Sequence, residues 1–131
     1  MAERKTEQRS GVLLSVLVAA TAVLEMGKLI CANATGYAVE GSEAATLTAL
    51  GRCEKSVDNS AGADGAVSVE VQRGVFKFAN SATDAVDQSC LGKTVYIEDD
   101  QTVSKTDNEA ARSAAGKCLG VEADGVWVEV G

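Results

Sequence analysis

Two stretches of strict two-residue alternation constrain this chain more than anything else in it. Over residues 66–72, Val67, Val69 and Val71 alternate with Ser68, Glu70 and Gln72. Over residues 126–130, Val126, Val128 and Val130 alternate with Trp127 and Glu129. Successive side chains of a strand point to opposite faces, so each stretch reads as a strand with one valine face turned to a core. Further strand candidates are Leu13–Val18, Lys28–Cys31, Gly36–Val39, Thr46–Cys53, Val75–Phe78 and Thr94–Glu98. Proline is absent and glycine occurs 13 times, so the turns must be built from Gly, Asn and Asp. Many short strands at such spacing predict an all-β fold, a compact small β-sandwich or β-barrel of short antiparallel strands. Residues 1–11 are read as a polar N-terminal arm and residues 12–131 as a single β domain. Leu13–Val18 is expected to be a buried first strand.

Helical signal is confined to residues 107–115, which have no apolar stripe and are expected to form a loop with at most a helical turn. One internal echo runs through the chain. Gly51-Arg52-Cys53 precedes the turn Ala63-Asp64-Gly65 and the strand ending Val69-Glu70-Val71. Gly116-Lys117-Cys118 precedes Ala123-Asp124-Gly125 and the strand ending Val128-Glu129-Val130. Asp-Gly favours hairpins because it tolerates positive φ. These are two halves of one β core or two convergent hairpins, the first with the longer loop.

Charge and residue types exclude several function classes. Nineteen acids against 12 bases leave a net charge of −7, which argues against nucleic acid as a partner. No histidine is present, so Ser-His and Cys-His pairs, histidine bases and histidine-ligated metals are ruled out. Cys31, Cys53, Cys90 and Cys118 are too widely spaced for a zinc site; a disulfide framework has three possible connectivities, and the favoured reading is four reduced, structural thiols. The apolar run Val12–Leu24, ending near Ala20-Thr21-Ala22, imitates a secretory signal peptide. Its flank is mixed in charge, and 13 residues fall short of the ~20 that span a membrane.

Carboxylate pairs that acid–base chemistry would need occur at Asp84/Asp87 and Asp99/Asp100, and turn acids in solvent explain them better. The segment Asp58–Gly65 resembles a calcium loop only faintly, lacking its alternating acids and closing Glu. No catalytic, cofactor-binding or metal residue is assigned, and no small-molecule substrate or membrane partner is expected. Trp127 lies opposite the valine face, so it either packs in a second core or meets a partner.

The stretches 57–66 and 69–80, Gly92–Tyr96, Asp99–Val103, Ala115-Gly116 and Gly125–Val128 resemble, in the same order, small capsid decoration (cement) proteins of tailed bacteriophages. The resemblance covers about residues 12–130. It implies a non-enzymatic, structural virion protein on the outer surface of an assembled head, bound to the major capsid protein. It further implies homotrimers at three-fold and quasi-three-fold positions, bracing the lattice against internal DNA pressure, with assembly in the host cytoplasm. The arm has no counterpart in that pattern; Arg4, Lys5 and Arg9, with Trp127, are the candidate capsid or inter-subunit contacts. The competing reading is an exported β-sandwich binding module, an adhesin-like or pilus-like subunit. A small enzyme using carboxylates is a third.

Overall fold

In a computed structural model, which describes residues 3–6 and 11–131, the chain forms 12 strands and a single turn of 3-10 helix, Gln88–Cys90. The strands are β1 (Leu13–Leu17), β2 (Val23–Leu24), β3 (Leu29–Ala32), β4 (Ala38–Glu40), β5 (Thr48–Cys53) and β6 (Val57–Asp58). They continue as β7 (Ser68–Gln72), β8 (Gly74–Asn80), β9 (Thr94–Ile97), β10 (Thr102–Ser104), β11 (Ala114–Glu122) and β12 (Gly125–Val130). The small all-β fold expected from alternation is present, with a closed barrel of five strands in its C-terminal half. All ladders are antiparallel except the contact closing that barrel, where β10 runs parallel to β8. Residues 107–113 form turns with positive φ at Asn108, Glu109 and Ala110, not a helix.

The two halves of the chain repeat one design. The first sheet has the order β1-β7-β5-β3-β4, and the barrel has the order β8-β12-β11-β9-β10 when read from β8. Each strand of one matches the strand at the same place in the other, down to the register. Cys53 pairs with Val71 and Cys118 with Val128. Ile30 lies opposite Gly51, and Val95 opposite Gly116. The parallel closure of the barrel, Asn80 beside Val103, has its counterpart in a single parallel bridge between Val18 and Ala38. There Ala19 N donates to Ala38 O at 3.0 Å, as Ser81 N donates to Val103 O at 2.9 Å. Gly27 and Gly92, both with positive φ, make equivalent turns: their N–H groups donate to Cys53 O and Cys118 O at 2.9 and 2.8 Å.

The sequence echo is therefore a structural repeat, and its hairpins belong to two separate five-stranded units. The register moves the match, however. Val69 and Val71 correspond to Val126 and Val128, two residues earlier than the echo suggests. A two-residue shift keeps every side chain on its face, so the alternation alone cannot detect it. The longer loop of the first copy carries β6, which pairs with β2. Its buried Asn59 donates from Nδ2 to Ala19 O (2.8 Å) and Ala63 O (3.1 Å), so the segment resembling a calcium loop is tied by an amide to backbone carbonyls.

Each unit has its own core. Val18, Leu24, Ile30, Ala38, Cys53, Val69 and Val71 fill the first. The second contains Val95, Ile97, Val103, Cys118, Val126, Val128 and Val130. Strand β3 serves both: Ile30 points into the first core, while Leu29 and Cys31 pack with the second, as successive strand residues must. The units are also joined by a bond from Leu29 N to Asp100 O (2.8 Å) and by Lys28 Nζ on Asp100 Oδ1 (3.3 Å).

All four cysteines are free and buried, and burial pushes the Cys31 thiol up to about 12. The thiolate is the reactive form. A thiol-reactive dye should therefore find the cysteines inert in native protein and titrate all four in denaturant. Rapid stoichiometric labelling without denaturant would contradict this packing.

Candidate functional site

One side of the barrel's outer surface is built by β8, β12 and β11, which are neighbours in that order. Alternation in β12 sends Val126, Val128 and Val130 inward, fully buried, and leaves Trp127 37% exposed. Trp127 is thus a surface residue, and core packing is excluded for it. Strand β8 sets Lys77 directly opposite Trp127 and Val75 opposite Glu129. Val75 is then a diagonal neighbour of the indole on the same face, and it is also exposed. Between Cys118 and Gly120 the β11 ladder slips, leaving Leu119 unpaired and exposed at a bulge.

Charged groups orient the indole. Its Nε1 donates to Glu122 Oε1, and Lys77 Nζ lies 5.9 Å from the ring centroid. The same ammonium bonds Asp124 Oδ2 at 2.8 Å. That hydrogen bond raises the Lys77 pKa and lowers that of Asp124. Gly125 makes the approach feasible: a Cβ there would lie 2.7 Å from Lys77 Cγ and 2.8 Å from Phe78 O. At the position matching Trp127 the first unit carries Glu70, so the aromatic patch is unique to the second copy.

A neighbouring open groove of about 430 Å³ is lined by Gly11, Val12, Arg73, Val75, Glu129 and Gly131, among others. Arg73 organises it, with Nη1 on Gly11 O (3.0 Å) and Nε on Gly131 O (3.1 Å). One guanidinium therefore ties the start of β1 to the end of β12, although no motif in the sequence marks Arg73.

Of the arm residues proposed as contacts, Arg4 and Lys5 are exposed and outside any strand or helix, away from the Trp127 patch in sequence. Arg9 lies outside the described residues. The carboxylate pairs are absorbed by local structure. Asp84 accepts from Thr106 Oγ1 at 2.6 Å and faces Arg112 Nη1 at 3.2 Å, and its pKa is lowered, chiefly by the threonine. Hydrogen bonds from Ser89 and then Lys105 pull Asp87 down to about 2. A general acid needs the opposite shift. Asp99 accepts from Gln101 N, and Asp100 is taken by Lys28. Arg112, 10% exposed in its side chain among Asp84, Glu98 and Glu43, anchors the 105–113 loop. Among the described residues no group of three or more His, Cys, Asp or Glu could hold a metal ion.

Comparison of the chain with protein-family models, curated proteins and solved structures finds no match.

Proposed function

We propose that this chain is a structural virion protein that binds the outer surface of an assembled phage head, with the major capsid protein as its partner. In this reading it sits as homotrimers at three-fold and quasi-three-fold positions and braces the lattice against internal DNA pressure. The reading is supported first by the ordered resemblance over residues 12–130. The single structural observation favouring it is the exposed Trp127 patch, an oriented aromatic with Val75 and Leu119 close in the sheet, held on paired strands. Aromatic anchors on rigid elements lose little entropy on docking and dominate interfaces. A trimer that engages three sites together gains avidity of ~10²–10⁴ over one site, so each contact can be modest.

The test is co-sedimentation of the purified protein with undecorated heads. Saturable binding is expected, and Trp127→Ala should weaken it by about 30-fold or more, the loss of a ~2 kcal/mol anchor, while the variant still folds and melts cooperatively after losing only cross-strand contacts of about 1 kcal/mol. Removing residues 1–10 should lower occupancy further if Arg4, Lys5 and Arg9 contribute contacts. Absence of binding to any head would overturn the reading.

A further inference from the structure

Strand β1 is an edge of the first unit, and its hydrogen bonds to β7 establish which of its backbone groups point outward. Arg73 N donates to Val12 O at 2.7 Å, and Val18 N donates to Val67 O at 3.0 Å. In an antiparallel ladder the residues that bond the neighbour alternate with those that do not. With the register Leu14 to Val71 and Val16 to Val69, the N–H and C=O groups of Leu13, Ser15 and Leu17 point away from β7. Across that edge, among the described residues, the one bridge is at Val18.

The second unit shows how such an edge is ordinarily blunted. Its matching residues are Val75, Lys77 and Ala79. There Ala79 N is already bonded to Gln101 O at 2.8 Å, and the central position carries a charge, Lys77. Charged side chains on edge strands are a common defence against unwanted pairing. In β1 the centre is Ser15, the Ala79 position is Leu17, and residues 11–24 contain no charge at all. Leu13 and Leu17 are 49% and 53% exposed. The duplicated copy thus acts as an internal reference, and against it β1 is both longer in its open edge and apolar.

We propose that β1 pairs with β1 of a second copy of this chain, antiparallel about a two-fold axis at Ser15. The segment Leu13-Leu14-Ser15-Val16-Leu17 is nearly palindromic about Ser15. Pairing sets Leu13 against Leu17 of the other copy at both ends and Ser15 against Ser15 at the centre. About six backbone hydrogen bonds form across the junction, since the open groups of all three residues meet in register. No like charges face each other along the strand, despite the net charge of −7. A partner of different sequence would not need the palindrome, and a charged peptide would find no complement. The contact is two-fold and separate from the Trp127 patch, so it does not rest on the capsid reading.

The experiment is sedimentation velocity of the full chain over a concentration series, with two variants. Ser15→Lys restores the charge found at Lys77 and brings two lysines together at the axis. It should raise the dissociation constant by about tenfold or more while leaving the melting temperature unchanged, because Ser15 is exposed. Ser15→Cys should form a 15-to-15 disulfide between two chains under mild oxidation, the other cysteines being buried. Even-numbered species that weaken in Ser15→Lys, together with that cross-link, support the proposal. Monomers or trimers only, association that survives Ser15→Lys unchanged, or no cross-link above that of a Ser68→Cys control would overturn it.

Discussion

Val69→Asp is expected to leave no native protein, whereas Ser68→Asp one residue earlier should fold and melt close to the parent. Val69 is 1% exposed in the first core, and Ser68 is exposed on the other face of β7. An aspartate at 69 would lose a buried aliphatic side chain, ~2 kcal/mol, and bury a carboxylate with no cation packed against it. Removing compensation from a buried charge costs about 3–5 kcal/mol more. Against a total stability of about 5–15 kcal/mol, that is enough to unfold a small β protein. Circular dichroism and thermal melting of the two variants check the result. A soluble Val69→Asp with a cooperative melt near the parent's would show that β7 does not face the core.

The second large effect tests the repeat itself. Gly51→Ala and Gly116→Ala should each destabilise by about 3 kcal/mol, the upper end for overpacking, because the obstacle is backbone. A Cβ at Gly51 would lie 2.1 Å from Gln72 O and 3.0 Å from Val71 Cγ1. At Gly116 it would lie 2.0 Å from Glu129 O and 3.0 Å from Val128 Cγ1. These are the same collision at the same place in two copies, each where the ladder register slips. Gly120→Ala is the control, since its Cβ would meet Trp127 Cδ1 at an ordinary 3.4 Å and change stability by less than about 1 kcal/mol. Denaturant midpoints measure all three. Equal, large losses at 51 and 116 are the expected signature; a loss below about 1 kcal/mol at either would mean that the close approach is absent there.

Much of the β framework was legible because period-two patterns survive any detail of packing. β7, β8, β9 and β12 lie where alternation or paired phenylalanines place them; Phe76 and Phe78 share a face and meet edge-to-face at 6.5 Å. The short strands β2, β6 and β10 have no such signal, because two or three residues cannot display a period. Residues 12–24 misled for a related reason. An unbroken apolar run has no polar face to mark the solvent side, so β1 reads as buried; in the fold only Val18, Ala19 and Leu24 of that run are buried, with Leu13, Leu17 and Val23 exposed. The exposed setting of Trp127 was equally hidden, since a strand with apolar residues on both faces fits a second core or open solvent.

By itself the sequence determined the all-β class, the valine faces, the glycine-dependent turns, the lack of histidine chemistry and the existence of an internal echo. Those properties follow from side-chain periodicity and residue type, which are local. Tertiary structure alone decided that the echo is two five-stranded units related by matched registers. It also decided that β3 feeds both cores, that Arg73 ties β1 to β12, and that Ser15 and Lys77 hold matching places in the two units. These depend on which strand lies beside which, and pairing partners far apart in the chain are chosen by the whole fold rather than by any one segment.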